Sequence, residues 1–523
     1  MKNFQSHKQL KTFQSGFSTL EIVIAFAILV IALSGVIYVL FGDQSTAMSS
    51  QTNSEALYRA QQIIEDARAS KSHATFPSII SAGLGLDDIY QKALQVSDIS
   101  QCAKQLTGLV TWNDENRSQN VTLSTVIADP IEALALGGSC ASVGPGPGDW
   151  RQANSFHGNV TLDGSGTSIR VRGNILYLGS KHNNANSPDL SIANISDIPN
   201  LDDSDFIKLA INHGGSKLNG INDFELVDYP SLGKRFIFAA GIYGNPGGGG
   251  PTGEKPQGQL QVIDVTDYLN PAPGASLSLP GVSGECPDYC PSGRKIAYYD
   301  GKVYIGTHRV GGSEFHIYDV TDPFNPIHLG NTGSTQIEHN INDIIVRNGR
   351  AYLATSSDTE EVIVLNVAGC VSPGTCPITQ IGVFDAKDIS GNPSDEDGQT
   401  LFLIGTKLYL GRDRVNSANE RDFYILDADN LNVLGSKKIN NQNNTTITGI
   451  QISSGLAFIA STDSNNPFSV WDVSDPSDIN RWDVCSYNFS VVPVEMYFDS
   501  NRIYVAATDQ SDVRIIESAL TCN

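Results

Sequence analysis

The stretch GKVYIGTHRVGGSEFHIYDVTDPFNP, residues 301–326, contains two apolar runs, "VYIGT" and "FHIYDV", rich in β-branched and aromatic residues and too short for helices. Gly-Lys leads the first. The second runs into Asp-Val-Thr-Asp with prolines behind it, where Asp and Thr oxygens satisfy backbone donors and Pro prevents further pairing. Both halves recur along the chain. The first returns as "GNILYLGS", "KRFIFAAG", "GRAYLATS", "TKLYLGRD", "GLAFIAST" and "NRIYVAAT"; the second as "DLSIANISDIPN", "LQVIDVTDYLNP", "VIVLNVAG", "FYILDADN", "FSVWDVSDPSDI" and "VRIIES". The aromatic positions Tyr177, Phe238, Tyr304, Tyr352, Tyr409, Phe458 and Tyr504 are 46 to 66 residues apart, a spacing that suits repeats of about four strands.

Seven such units predict a seven-bladed β-propeller over residues 153–523. The seventh supplies three strands, "VEMYFDS", "RIYVAAT" and "DVRIIES", while "HGNVTLDG", residues 157–164, stands ahead of the first with no unit of its own. It is expected to complete blade seven and cover an open edge. The region resembles the LVIVD-repeat β-propellers, extracellular and cell-surface proteins, over nearly all of residues 155–520, which implies an extracellular setting.

Working outward, "VGPGPGDW", residues 143–150, makes up most of a Gly/Pro stretch, residues 143–152, that reads as a linker. Before it, "LTGLVTWNDENRSQNVTLSTVIAD" reads as two strands joined by a polar turn. Earlier still, Ala56, Ala60, Ile63, Ile64 and Ala67 recur at helical spacing, with Glu55, Arg59, Glu65, Asp66 and Arg68 on the remaining face. From Ile22 to Phe41 there are twenty residues without charge, long enough as a helix of ~1.5 Å rise per residue to cross a bilayer. One carboxylate, Glu21, stands at the start of that run, where it needs a cationic partner.

Residues 1–16 carry Lys2, Lys8 and Lys11 and no acid, and end in Gly16 before Phe17. The charged segment therefore precedes the apolar run, unlike a secretory signal whose cleavage site follows it. Basic leader, Gly, Phe, three small or apolar residues, Glu and about twenty apolar residues resemble the prepilin N-terminus of type IV pilins and type II secretion pseudopilins. The resemblance covers roughly residues 1–142 and implies a leader (1–16) removed by prepilin peptidase after Gly16 and an N-methylated Phe17. It also implies a Glu21 that pairs with a neighbouring subunit's terminal amine, and a small α+β domain (17–142) whose sheet packs on the outer half of the helix. The helix-breaking Pro of many pilins is missing from the apolar segment.

Charge and cysteines bound the setting. The formal charge is −22, or −25 without the three leader lysines, a field that repels nucleic acid and anionic lipid. Eight cysteines, Cys102, Cys140, Cys286, Cys290, Cys370, Cys376, Cys485 and Cys522, all follow the apolar segment and are disulfide candidates in an oxidising compartment. Eight allow 105 pairings, of which local pairs are the natural expectation. Cys286-x3-Cys290 and Cys370-x5-Cys376 lack the spacing and histidines of a zinc site.

Two places on the propeller are candidates for binding. Loops after the second strand of each blade emerge on one face and carry Lys181, His182, His308, Arg309, Arg412 and Arg414 among acidic side chains. At the channel mouth, Asn222-Asp223 and Asn342-Asp343 begin innermost strands and "SDEDGQT", residues 394–400, occupies a similar place; their oxygens suit a hard cation such as calcium, at Asp223 and Asp343 above all, and equally suit capping of the strand starts. No cofactor is otherwise expected. G-x-S-x-G, H-E-x-x-H and phosphate-loop motifs are missing, so no enzyme is expected.

The combined reading is a minor type IV pilin-like subunit. It is inserted in the inner membrane by one pass, then assembled with other pilin subunits so that a propeller binding head faces an unknown glycan or protein ligand. The alternatives are a pseudopilin with a structural propeller and a membrane-anchored surface hydrolase.

Overall fold

The computed structural model describes residues 19–69, 79, 81–87, 89–100, 103–114, 117–128, 150–151, 153–160, 164–182, 187–198, 201–213, 216–217, 220–242, 258–282, 292–332, 337–387, 396–415, 420–440, 442, 444–453, 455–484, 492–499, 502–508 and 513–518. The chain divides into two compact units, residues 1–132 and 133–523, ten residues earlier than the expected boundary at 142. Gly16 and Phe17, Cys102, Cys140, Cys286, Cys290, Cys485 and Cys522, and the side chain of Glu21 lie outside the described residues.

The first unit joins one helix, Thr19–Ala69, to an antiparallel sheet of four strands in chain order, Ala82–Asp87, Tyr90–Ser100, Ala103–Asp114 and Arg117–Ala128. The last two are the strands read from sequence; the first two were not anticipated. Ala56, Ala60, Ile63, Ile64 and Ala67, the helical stripe, are all buried, most of them against Tyr90, Leu94, Leu106, Val110 and Trp112 of the sheet. Small residues on the helix let the sheet approach closely: a Cβ on Gly108 would meet the Ala60 carbonyl oxygen at 2.6 Å. The Tyr90 hydroxyl donates to the Thr52 carbonyl at 3.1 Å. Further up the helix Ile24, Phe26, Ile28, Leu29, Val30, Ile31 and Leu33 are 46–73% exposed. Among the described residues, no helix is long and apolar enough to cross a membrane.

The second unit is a seven-bladed β-propeller. Its innermost strands are Ser165–Arg172, Ile221–Tyr229, Gly293–Tyr299, Ile341–Arg347, Gly398–Ile404, Ile447–Ser453 and Val492–Asp499 in blades one to seven, each leading an antiparallel four-stranded sheet. Neighbouring innermost strands touch in chain order, and that of blade seven touches that of blade one, so the ring is closed. Blade seven takes its outer strand from Ala153–Val160, paired with Val513–Ser518, four residues ahead of the segment expected to do so.

The apolar runs of the second and third strands are continuous because adjacent blades cover both faces. Every repeat aromatic, Tyr177 through Tyr504, is at most 3% exposed. The hairpins joining first and second strands use Asp300-Gly301 and Asn348-Gly349, all four at positive φ, the conformation a tight two-residue hairpin demands. Third strands end in turns in which a carboxylate or amide accepts from the backbone two residues on: Asp264 from Thr266 (3.0 Å), Asp319 from Thr321 (2.8 Å) and Asp472 from Ser474 (3.0 Å). Trp150, expected within the linker over 143–152, is a core residue, fully buried with its ring 4.8 Å from that of Phe458. A disulfide joins Cys370 to Cys376 on blade four, with Cys370 buried.

Candidate binding site at the channel mouth

All seven pairs of first and second strands shift register by one residue near the start of the innermost strand, at Gly166/Ser168, Ile221/Asp223, Gly293/Lys295, Ile341/Asp343, Gly398/Thr400, Ile447/Gly449 and Pro493/Glu495. A bulge bends a strand and re-aims its side chains. In blades one, two and four it sends one side chain to the next blade. Thr167 Oγ1 donates to the Ile221 carbonyl (2.5 Å), Asn222 Nδ2 to the Gly293 carbonyl (2.6 Å) and Asn342 Nδ2 to the Gly398 carbonyl (2.6 Å). The acid that follows accepts from the next blade's backbone: Asp223 from the Ile296 N–H (3.2 Å), Asp343 from the Leu401 N–H (2.7 Å) and Glu495 from the Ile169 N–H (3.2 Å).

The two Asn-Asp pairs are thus clamps between blades. Asp223 and Asp343 turn carboxylate oxygens to backbone donors, which is the capping alternative to a cation. Among the described residues, no three His, Cys, Asp or Glu side chains converge at metal-binding spacing.

One network spans four blades. Arg170 of blade one reaches Glu495 of blade seven at 2.7 Å and Asp223 and Glu225 of blade two at 3.5 Å each, and Lys295 of blade three lies 3.7 Å from Asp223. Burial pushes Asp223 up to about 7 against the pull of Lys295 and Arg170. Glu225 and Asp343 are raised by the same cause, while the surrounding carboxylates outweigh burial and raise Lys295.

The loop cations fall into two groups. Lys181, Arg309 and Arg414 are exposed, Arg414 beside Asp413 at 3.4 Å. His182 and Arg412 are buried, contrary to their reading as displayed side chains. His182 Nε2 lies 2.9 Å from Asp189, and Arg412 is enclosed by Glu361 (3.1 Å), Glu396 (3.5 Å) and the Arg421 and Glu396 carbonyls. Burial lifts Glu361 to about 7 even with Arg412 beside it. His308 is half-buried and its Nδ1 accepts from Arg294 Nη1 at 2.9 Å. Burial, Arg294 and Lys181 push the imidazole down to about 4, so near neutral pH it is uncharged with its proton on Nε2.

A second set of clamps was not read from sequence. The residue before the third strand is polar and buried in five blades, and its side chain accepts from the backbone just beyond the fourth strand. Asp189 takes the Ile211 N–H (2.5 Å), Gln259 that of Leu279 (3.2 Å), Glu314 that of Ile337 (3.2 Å), Glu361 that of Ala386 (2.9 Å) and Asp422 those of Ile439 (2.6 Å) and Asn440 (2.9 Å). The signal was present as an acid or amide directly before each of "LSIAN", "LQVID", "FHIYD", "VIVLN" and "FYILD".

No protein-family model matches the chain, and no curated protein does. Among solved structures it is similar to the computationally designed Ika8 protein, with 12% identity over 68% of this chain and 98% of that one at a TM-score of 0.40. It is also similar to YCF48 bound to D1 peptide, with 11% identity over 71% and 96% at 0.41. A third is the extracellular domains 1–2 of Drosophila Semaphorin 1b, with 10% identity over 72% and 87% at 0.40.

Proposed function

We propose that the chain is a minor type IV pilin-like subunit whose propeller is a non-enzymatic binding head on a filament or cell surface. The observation that carries the reading is the character of the N-terminal helix. Its outer half is sealed by a sheet through Ala56, Ala60, Ile63 and Ala67, while Ile24 to Leu33 present exposed apolar side chains that call for an apolar partner. A bilayer before assembly and packed helices afterwards both meet that need. The Gly16-Phe17 junction and Glu21 supply the processing site and the charge that a filament would pair. Prepilin peptidase, the inner membrane and other pilin subunits are the partners this implies. The head's ligand is a surface molecule met by the mouth described above, and the −22 charge disfavours nucleic acid.

The test is the N-terminus of the mature protein. Mass spectrometry is expected to find a chain beginning at methylated Phe17, and Gly16 replaced by a larger residue is expected to retain the leader. A mature chain still beginning at Met1 would remove the basis of the pilin reading.

A further inference from the structure

Two charged residues at the channel mouth do not make the hydrogen bonds that several of their counterparts in other blades make. In the residue before the innermost strand, Asn340 Oδ1 accepts from the Arg309 N–H of the previous blade (2.9 Å) and Thr446 Oγ1 from the Arg414 N–H (3.4 Å). Asp397 holds the same place in blade five. Its backbone carbonyl accepts from the Asp413 N–H at 2.9 Å, which fixes its position, but among the described residues its carboxylate forms neither hydrogen bond nor ion pair. At the bulge position, Thr167, Asn222 and Asn342 donate to the next blade's carbonyl. Arg294 holds that place in blade three and turns instead to the uncharged ring of His308, and among the described residues its guanidinium has no carboxylate in contact.

Both charges are half-buried, and among the described residues each lacks a counter-charge in contact. Burial lowers Arg294 to about 10, although Asp397 and Asp413 are near enough to pull it upward. Burial, with Asp413 and Asp358, raises Asp397 to about 6 against Arg414 and Arg294. A partly desolvated charge without a partner is costly, so a positive and a negative one left open within electrostatic range of each other suit a ligand that carries both signs. A guanidinium with free donors fits a carboxylate in two-pronged fashion, and a carboxylate fits an ammonium.

We propose that Arg294 and Asp397 are the two poles of a site that binds a small zwitterion of the amino-acid class, its carboxylate on Arg294 and its ammonium on Asp397. His308 is a positioning residue: by accepting from Nη1 it orients the remaining donors of Arg294. The inference deepens the binding-head reading and rests on it.

The experiment is calorimetric titration of the purified full-length protein in detergent with glycine, 4-aminobutyrate and lysine, and with acetate and methylammonium as single-charge controls. At least one zwitterion is expected to bind, with both controls weaker by about tenfold or more. Arg294→Gln and Asp397→Asn are each expected to weaken it by about tenfold or more at an unchanged melting temperature, and Arg294→Lys to restore part of it. If Arg294→Gln does not fold, Asp397→Asn carries the test alone. Absence of binding by the whole panel to folded wild type, equal binding of a control, or unchanged binding in the variants overturns the site. Such a failure in a protein that still assembles into filaments leaves the filament reading standing.

Discussion

Arg170 Nη1 lies 2.7 Å from Glu495 Oε1, joining the innermost strands of blades one and seven across 325 residues of sequence. Glu495 also accepts from the Ile169 N–H, so a single carboxylate holds the first blade by backbone and by side chain. Ring closure therefore has a polar latch on the channel side, in addition to the strand Ala153–Val160 on the outside.

Arg170→Met leaves Glu495, Asp223 and Glu225 without their shared cation. Breaking one member of a pair this buried costs ~3–5 kcal/mol. Urea unfolding of the full-length protein is expected to show that loss, and Glu495→Gln combined with Arg170→Met is expected to lose less than the two single variants added together. Strict additivity would mean that the two side chains do not act as a latch.

The same logic applies to Glu361 and Arg412, both fully buried. Glu361→Leu leaves buried Arg412 with the more distant Glu396 as its carboxylate and releases the Ala386 N–H, with an expected loss of ~3–5 kcal/mol. Adding Arg412→Met removes the under-compensated buried charge, so the double variant is expected to melt higher than Glu361→Leu. A double variant that melts lower would show that burial of Arg412 is not what sets the cost.

Asp223 makes the stability of the latch pH-dependent. Its folded pKa, about 7, is above the ordinary carboxylate range, so between roughly pH 4 and 7 the folded state holds a proton that the unfolded chain releases. That contribution grows as pH falls through 7 and is lost as pH rises. His308 and His316, held neutral by burial, act in the opposite sense below their ordinary range. Comparing wild type with Asp223→Asn cancels them: the melting temperature of wild type relative to the variant is expected to rise from pH 8 to pH 5. A difference independent of pH would mean that Asp223 is ionised throughout.

In the first unit, Gly108→Val places a side chain where the Ala60 carbonyl sits. The helix and sheet must separate at that point, and overpacking of this kind costs ~1–3 kcal/mol or more. Limited proteolysis is expected to release fragments from residues 79–128 while the propeller stays resistant. Wild-type resistance in both units would show that the helix shifts at no cost.

The seven repeats were legible because strands covered on both faces must be apolar throughout, and the Asp/Thr/Pro turns punctuate them. The spacing of the aromatics from Tyr177 to Tyr504 marked the repeat, and the fold buries all seven. Trp150 was missed because its neighbours Gly148 and Asp149 carry the composition of a linker, and only the fold brings Phe458 to it. Arg412 was misread for a related reason. A cation at the end of a strand normally reaches water, and the partner that buries it, Glu361, lies 51 residues earlier. Asp223 and Asp343 each accept from the next N–H of their own strand, Phe224 at 2.9 Å and Ile344 at 2.8 Å, as local capping implies, but the second backbone group that each binds belongs to the next blade, and no local pattern announces it. Lys181 and His308 were named on the loops after the second strands, and Asp397 lies in a segment picked out at the mouth, whereas Arg294 was not named, because its interest lies in a bond that several counterparts make and it does not.

The filament-borne head is tested most directly by labelling the propeller in cells and imaging sheared filaments from wild type and Glu21→Ala. Wild type is expected to carry label on filaments, sparsely and at tips, while Glu21→Ala keeps its label in the membrane fraction with the leader cleaved. Filaments without label in wild type, or equal labelling of both proteins, would contradict a filament subunit and favour an anchored surface propeller.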